Sequence, residues 1–410
     1  MKKSLSSKIL CATVMTAGVL SAGQAQAAGF ALNEVSMTGL GRAFAGIGVV
    51  GDDYSALAFN PAGITLKGTG FQAGAALILE HGEVKGTAEK VGNRVSGKES
   101  INIPVAAPSM FAQYKINDSL FFGFGVYAPF GLATKYDKDW FGSDLGVDSE
   151  LEVIDVAPTL GYKINDKWSV GASVIARYGK VIMTNTSAET GFSDFDIDGW
   201  NVYGRVGVMY EHDKDTRIGL AYSSVSTEVE HTLKGDHTLE GMPLPINGKH
   251  IGGTVTRLPE SWLLSGYKKH GNFGYSASVR YTRWEHFDKF TLTSSKIGAT
   301  TNNYDWQNVW SASVGVDWFY NDTWTFRAGL GYDESPVRRT ASRTVRIPDN
   351  DRVLMSLGFT YKVNENVKID AGYTHLYLPT FRARNGENKF VDAKYDFNAE
   401  VLGVQFQYDF

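Results

Sequence analysis

The sequence predicts an all-β protein, a 14-stranded antiparallel transmembrane β-barrel over residues 70–410 with an N-terminal plug over residues 28–69 inside its lumen. Three observations lead to this prediction. Strand-length segments alternate apolar and polar residues, short polar turns alternate with longer polar segments, and residues 1–27 have the pattern of a bacterial secretory signal peptide.

The signal peptide begins with a basic stretch that contains Lys2, Lys3 and Lys8. An apolar stretch from residue 9 to about residue 20 follows, and Ala25-Gln26-Ala27 offers an A-x-A cleavage site. The apolar stretch is too short to cross a bilayer as a helix, which needs about 20 residues. We therefore expect the mature chain to begin at Ala28. It would lack cysteine, because the single cysteine, Cys11, lies in the removed segment.

Composition excludes several classes of protein. Loss of the three signal lysines takes lysine plus arginine from 40 to 37 against 44 acidic residues, and this acidic balance argues against a nucleic-acid partner. No apolar run of 18 residues exists outside the signal, which excludes a helical membrane protein. A β-barrel is not excluded, because only every second residue of its strands faces lipid.

Turn-forming residues divide the chain after about residue 70 into regular units. Six tight turns are predicted, at 116–118, 164–166, 212–215, 269–272, 321–322 and 364–366. Seven longer segments separate them, near 86–104, 130–148, 185–197, 231–253, 295–304, 336–348 and 379–393. Six short turns and seven long loops connect fourteen strands, and an outer-membrane barrel has this asymmetry between its two ends.

The last nine residues carry the clearest alternation. Leu402, Val404, Phe406, Tyr408 and Phe410 share one face of an extended strand, and polar residues or glycine occupy the other. A soluble β-sandwich would also alternate, but the signal peptide, the aromatic strand ends and the terminal Phe410 favour a barrel with its apolar face toward lipid. Such a last strand resembles the signal that the barrel assembly machinery of Gram-negative bacteria recognises. We therefore expect an outer-membrane location, with outer-membrane lipid and lipopolysaccharide around the wall.

Residues 28–69 do not fit the strand pattern. They are rich in small residues, and about forty residues are too few to form a stable domain alone. A fourteen-stranded barrel would leave a lumen too wide for side chains to fill. We therefore expect this segment to fold inside the barrel.

Several motifs, in order, resemble the FadL family of outer-membrane long-chain fatty acid transporters, and the resemblance covers essentially the whole mature chain. At the N-terminal end they are Gly29-Phe30-x-Leu32-Asn33-Glu34, Gly39-Leu40-Gly41-Arg42-Ala43, Asp52-Asp53 and Asn60-Pro61-Ala62. Further along they include Phe130-Gly131-Leu132-Ala133-Thr134, Leu258-Pro259-Glu260-x-Trp262 and Ile347-Pro348-Asp349-x-Asp351-Arg352.

The resemblance implies a monomeric barrel with an N-terminal hatch and a wall opening where the third strand kinks, through which hydrophobic ligands leave by gradient-driven diffusion. The hatch and gating residues would be Asn60, Pro61, Ala62, Pro129 and Gly131; Pro129 departs from the family pattern. Phe30, Leu32 and Phe130 would contact the ligand, although ordinary packing between plug and wall is an equal alternative for each.

A fatty-acid carboxylate requires a cation or several N–H groups. By alternation five arginines project into the lumen as carboxylate candidates: Arg177, Arg205, Arg217, Arg280 and Arg327. The family's own head-group positions align with Asn185 and Gln307, neither of which is a cation. No cofactor, metal site or catalytic group is expected. An acidic stretch from Asp194 resembles the start of a calcium loop but has Arg205 where that loop needs glutamate.

Three other functions stay open. The same fold could import other hydrophobic compounds such as monoaromatic hydrocarbons. It could also act as a general porin, which a plug argues against, or as a surface adhesin that uses loops such as 231–253.

Overall fold

A computed structural model describes residues 29–90, 93–187, 191–224, 231–241, 246–287, 289–385 and 391–410. The predicted signal peptide lies outside the described residues. Within them, no helix is both long and apolar enough to cross a membrane.

Nineteen strands account for most of the described chain. They are β1 Gly70–Lys90, β2 Asn93–Lys115, β3 Leu120–Lys135, β4 Asp148–Lys163, β5 Trp168–Ser187, β6 Gly191–Asp213, β7 Thr216–Ser223, β8 His231–Glu240, β9 Gly248–Thr256, β10 Glu260–His270, β11 Phe273–Arg283, β12 Lys289–Ser294, β13 Gly298–Asn303, β14 Val309–Phe319, β15 Trp324–Asp333, β16 Arg352–Lys362, β17 Val367–Tyr377, β18 Phe381–Asn385 and β19 Val391–Asp409.

Fourteen of these strands form a closed antiparallel barrel, as predicted. Each pairs with its neighbours in the order β1–β7, β10, β11, β14–β17 and β19. The ring closes where β19 pairs with β1, from Gly70 opposite Asp409 to Ala88 opposite Val391. Because the ring is closed, almost every wall strand has a neighbour on both sides. Its backbone N–H and C=O groups can then form the hydrogen bonds that they cannot form with hydrocarbon.

The six short turns lie where the sequence predicts them, but the long connections differ from the prediction. Wall strands reach up to 23 residues, because the pairing continues beyond the expected ten or so. The segment near 86–104 is not a loop but the tip of the β1–β2 hairpin. Segments 130–148, 185–197, 231–253, 295–304 and 379–393 also contain strand residues.

Four of the additional strands extend the wall on the side of the long connections. β8 pairs with the upper part of β6, β9 with β8, β12 with β9 and β13 with β12. His237 of β8 is fully buried there, and its ring stacks on Phe195 at 3.8 Å. Burial lowers the pKa of His237 to about 4, so this imidazole is neutral at physiological pH.

The alternation on β19 has the predicted sense. Val404 is 59% exposed on the outer face, while Gln405 and Gln407 are buried on the inner face. Exposed aromatic residues form two girdles, as expected at the two membrane interfaces. Those near the short turns are Tyr114, Tyr162, Trp168, Phe273, Trp318 and Tyr320, and those near the long connections are Trp200, Trp262, Trp310, Tyr332 and Tyr377.

Residues 29–69, hereafter the N-terminal segment, are almost entirely buried. They contain one short helix, α1 Met37–Leu40, and two 3-10 helices, Ser55–Ala58 and Pro61–Leu66. Ser36 caps α1, and Asn60 caps the second 3-10 helix through its side-chain oxygen and the Ala62 N–H at 3.0 Å.

Glycines on the inner face of the wall allow the N-terminal segment to approach the strands closely. A Cβ atom added to Gly171 of β5 would lie 2.6 Å from the Ala62 nitrogen, and one added to Gly315 of β14 would lie 2.9 Å from the Arg42 Cβ. Other such glycines are Gly123, Gly161, Gly207, Gly219, Gly329, Gly358, Gly372 and Gly403. The segment therefore contacts strands on most sides of the ring.

A buried ion-pair network also attaches the N-terminal segment to β14 and β15. Arg42 lies 2.7 Å from Asp52 and 3.1 Å from Asp317, and Arg327 lies 3.1 Å from Asp52 and 3.2 Å from Asp317. Burial alone would raise the pKa of Asp52, but the guanidinium groups of Arg42 and Arg327 outweigh it and hold that pKa well below its usual range. The network thus consists of two cations and two anions.

The close approach at Gly171 gives the first testable expectation. Gly171→Val should lower the free energy of unfolding by about 1–3 kcal/mol, because the added side chain overlaps backbone that cannot move away. Denaturant titration of the purified protein in detergent measures this. Gly204→Val on β6, where an added Cβ is 3.8 Å from its nearest neighbour, is the control. Equal stability of the two variants would contradict the tight fit.

The ion-pair network gives a second expectation. Asp317→Asn leaves a buried uncompensated positive charge and should cost about 3–5 kcal/mol of stability. The control is Lys98→Ala, which breaks an exposed ion pair with Glu83 and should change stability little. A loss no larger than that of the control would show that the four charges contribute nothing.

Candidate functional site

The wall is interrupted between β2 and β3. Pairing of these strands runs from Lys115 opposite Phe121 to Ser109 opposite Tyr127 and then ends. Within the described residues, the part of β2 that precedes Ser109 pairs with β1 alone. The β3–β4 register shifts by one residue between Tyr127 and Phe130, where Pro129 lacks the N–H that a ladder needs.

The beginning of the N-terminal segment pairs with the edge of β3 that β2 leaves free. Ala31 forms a bridge with Phe130, the Leu32 N–H donates to the Pro129 carbonyl at 2.8 Å, and the Gly131 N–H donates to the Phe30 carbonyl at 2.9 Å. Three predicted site residues, Phe130, Pro129 and Gly131, are thus brought together with Phe30 and Leu32.

Phe30 fills an aromatic cage. Its ring centroid lies 4.9 Å from Trp284, 5.0 Å from Phe287, 5.6 Å from Trp306 and 5.9 Å from Phe130, and the side chain is 1% exposed. The preceding Gly29 N–H donates to Asp349 at 3.0 Å. Ring contacts of Phe30 and a backbone hydrogen bond of Gly29 therefore fix the start of the described chain.

A cavity lies beside residues 31–33 and reaches the kink in β3. It spans about 730 Å³ of space between atoms, part of it open to solvent. Its lining includes Leu32, Val35, Phe59, Tyr127, Pro129, Phe130, Leu263, Arg177, Arg205 and Arg280. Leu32 and Phe130 therefore line the cavity, whereas Phe30 lies in the neighbouring cage.

The three arginines of this cavity differ in how their charges are balanced. Arg177 forms a bidentate ion pair with Asp155 at 2.7 and 2.9 Å, and the Tyr203 hydroxyl donates to the same carboxylate. Its charge is neutralised within the protein. Arg177 also stacks on the Tyr203 ring, with the guanidinium carbon 4.0 Å from the centroid.

Arg205 and Arg280 form none of the ion pairs within 4 Å in the described part of the chain, although Asp333 acts electrostatically on Arg280, and Asp155 on Arg205, from farther away. Arg205 donates to the Ser223 hydroxyl, the Leu57 carbonyl and the Tyr127 hydroxyl, all of them neutral groups. Arg280 donates to the Asn33 side-chain oxygen at 2.6 Å. The cavity therefore contains two cations that make their direct hydrogen bonds to neutral groups.

A second cavity continues from the first. Asn33, Leu263 and Arg280 line both. The second cavity spans about 360 Å³, part of it open to solvent, and its lining is mixed. Apolar residues such as Phe44, Ile47 and Leu354 face polar ones such as Tyr332 and Asp333. Arg280 thus stands at the junction of the two cavities.

The other predicted residues lie elsewhere. Arg327 belongs to the ion-pair network with Asp52 and Asp317, and Arg217 donates to the Val50 carbonyl at 3.0 Å. Asn60 donates to the Val208 carbonyl at 3.2 Å, and Pro61 packs on Gly171. Asn60, Pro61 and Ala62 therefore seat the N-terminal segment against β5 and β6 and do not line either cavity.

Sequence reasoning missed Asp155, Tyr203 and Asn33, which orient or neutralise the arginines of the cavity. Asp155 and Arg177 face each other across β4 and β5, so the alternation that selected Arg177 could also have selected Asp155 once the strands were aligned. Among the described residues no group of three or more histidine, cysteine, aspartate or glutamate side chains is arranged to hold a metal ion.

The sequence and the fold are both similar to those of known outer-membrane proteins. A family model described as "Outer membrane protein transport protein (OMPP1/FadL/TodX)" matches residues 18–410. The chain belongs to this family. The predicted family and the predicted barrel are thereby confirmed. The protein is an outer-membrane protein of the kind found in Gram-negative bacteria.

The chain is 30% identical over 436 residues to the long-chain fatty acid transport protein of Escherichia coli O6:H1, with 94% of this chain and 95% of that protein covered. In structure it is similar to a Pseudomonas aeruginosa FadL homologue, with a TM-score of 0.83 at 23% identity over 93% of this chain and all of that one. The Ralstonia pickettii toluene transporter TbuX gives a TM-score of 0.69 at 20% identity, over 92% of this chain and 99% of that one. The family consists of transport proteins and channels.

Proposed function

We propose that this protein transports long-chain fatty acids across the outer membrane. The observation that carries the proposal is the pair of arginines without an ion-pair partner within 4 Å, Arg205 and Arg280, in a cavity that continues into a second one lined partly by Phe44, Ile47 and Leu354. A buried cation without a counterion is costly, so such a site is suited to an anionic ligand.

The two cavities match the two parts of a fatty acid. The carboxylate would accept hydrogen bonds from Arg280, with Arg205 nearby, and the alkyl chain would lie along Leu263 and the apolar walls of the second cavity. Each buried methylene contributes about 0.8 kcal/mol before the costs of binding are counted. Of the five predicted carboxylate candidates, this arrangement favours Arg280.

The route out is proposed to be sideways, through the interruption between β2 and β3. On β1 the lipid-facing residues are apolar from Phe71 to Leu79 and become polar at His81. The unpaired part of β2 begins at Pro108, opposite Ala75, and Pro104 lies opposite Leu79. The interruption therefore lies in the outer half of the apolar belt, at the depth of the outer leaflet.

The N-terminal segment acts in this proposal as a hatch that blocks passage along the barrel axis. Its contacts with glycines on many wall strands argue against the wide axial channel of a general porin. Ligand arriving at the cavity would displace residues 30–32 from the edge of β3, and flow would follow the concentration gradient because no nucleotide site is present in the sequence.

Uptake of monoaromatic hydrocarbons is the second candidate. The aromatic cage around Phe30 favours it, because rings of this kind pack well on other aromatic rings. An uncharged hydrocarbon has no group that accepts a hydrogen bond from Arg280. Transport of fatty acids should therefore depend on this residue, and transport of hydrocarbons should not.

Arg280→Leu should weaken oleate binding by about tenfold or more, since a hydrogen bond to a charged group contributes about 1.5–3 kcal/mol. Binding to the purified protein and labelled oleate uptake in a transporter-deficient bacterium measure the effect. Arg280→Lys should restore part of it, and Arg217→Leu, an inward arginine outside the cavity, is the matched control. Unchanged oleate binding in Arg280→Leu would remove the head-group assignment. A selective loss of oleate but not toluene uptake supports the first candidate.

Locking the hatch tests its movement. A Cβ added to Gly331 of β15 would lie 3.5 Å from the Cβ of Ala43, a separation within the usual range for a disulfide of about 3.5–4.5 Å. Because both positions border the second cavity, oleate binding is compared between the reduced and the oxidised forms of A43C/G331C. The oxidised form should lose uptake even where its oleate binding equals that of the reduced form, and reduction should restore uptake. Full uptake by the oxidised form would contradict a mobile hatch.

A further inference from the structure

We propose that Pro104 and Pro108 keep the wall open between β2 and β3, because they remove the backbone donors through which these strands would otherwise pair. The structural part of this proposal stands on the strand register alone, and its consequence for transport rests on the lateral exit proposed above.

The register shows which way each β2 residue directs its N–H. The Lys115 N–H donates to the Thr69 side chain beside β1, whereas the Ile116 N–H donates to the Leu120 carbonyl at the start of β3. β2 pairs with β1 without a register shift from Gln113 to Asn93, so the alternation continues along the strand. Even-numbered β2 residues therefore direct their N–H groups toward β3.

Pro104 and Pro108 are both even-numbered and stand beyond the last β2–β3 pair. If the pairing of Met110 with Val126 continued, the next partners would be Pro108 and Ala128. Proline has no N–H, so this rung cannot form in full, and the same holds at Pro104. Of the first three β2 positions that face the interruption, 104, 106 and 108, two cannot donate.

The depth of these prolines makes the missing donors significant. Their partners on β1 are Leu79 and Ala75, both on the apolar lipid-facing side. A backbone group without a partner in hydrocarbon costs several kcal/mol. An interruption lined by ordinary residues would carry this penalty for each N–H and would tend to close, whereas proline removes the donor from the edge.

The opposite edge is satisfied in another way. After the register shift at Pro129, β3 presents its free backbone groups to residues 30–32 of the N-terminal segment, which accept and donate one hydrogen bond each. The two edges are therefore satisfied independently, β2 by proline and β3 by the hatch. The geometry points to an opening that is maintained when ligand is absent.

The test is the double variant P104A/P108A, expressed as the full chain in a transporter-deficient bacterium. Closure is measured by cross-linking the cysteine pair A106C/A128C with a short bifunctional thiol reagent, since the mature chain is expected to contain no other cysteine. Transport is measured as labelled oleate uptake. We expect cross-linking to increase and uptake to fall by about tenfold or more, as two recovered donors pair in hydrocarbon.

Two further variants sharpen the test. A106P in the P104A/P108A background places proline at the remaining donor position that faces the interruption, and it should restore uptake. Pro158→Ala on β4 is the matched control. Pro158 faces lipid in a two-residue gap of the β4–β5 pairing, and that pairing continues on both sides of the gap. It should change neither readout. Heat-dependent migration in gels verifies that each barrel is folded, and the single variants P104A and P108A, with intermediate effects expected, replace the double variant if it fails to fold.

The outcomes separate this proposal from the proposed function. If P104A/P108A cross-links no better than the parent protein, the role of the prolines is overturned, whatever happens to uptake. If cross-linking increases and uptake is unchanged, the prolines do hold the wall open but the lateral exit is wrong. Increased cross-linking together with reduced uptake supports both.

Discussion

The architecture depends on one constraint, that every backbone donor and acceptor in hydrocarbon needs a partner. Thirteen of the fourteen strand–strand contacts of the ring meet this constraint along the wall by ordinary antiparallel pairing, apart from local irregularities. The contact between β2 and β3 does not, and the residues there are unusual in consequence. A short stretch of the N-terminal segment supplies the partner for β3, and prolines occupy β2 where a partner is missing.

Inside the ring, charge follows a similar logic. Arg42, Arg327, Asp52 and Asp317 balance one another, and Arg177 is balanced by Asp155. Of the five arginines considered for a carboxylate, Arg205, Arg217 and Arg280 form no ion pair within 4 Å among the described residues, and Arg205 and Arg280 line the cavity at the kink. The interruption of backbone pairing and two of these three arginines therefore occur within one region of the molecule.

Much of the fold could be predicted from the sequence because its signals are local. Turn residues mark the six short turns, and the two-residue period marks the faces of strands such as β19. The strand extensions were missed because polar residues above the membrane carry no apolar period. The aromatic cage was missed because Phe30, Trp284 and Trp306 meet only in the folded chain. The lack of an ion pair at Arg280 could not be predicted, because it depends on which carboxylates come within 4 Å in the folded chain.

The glycines of the inner face have a consequence for how such proteins diverge. Where the backbone of residues 29–69 touches a wall glycine, as Pro61 does at Gly171, a larger wall residue would overlap that backbone unless the segment changed as well. Wall and insert must therefore change in concert over evolutionary time. A chimera that joins the first seventy residues of one family member to the barrel of a distant one would inherit mismatched surfaces, even though each half came from a functional parent.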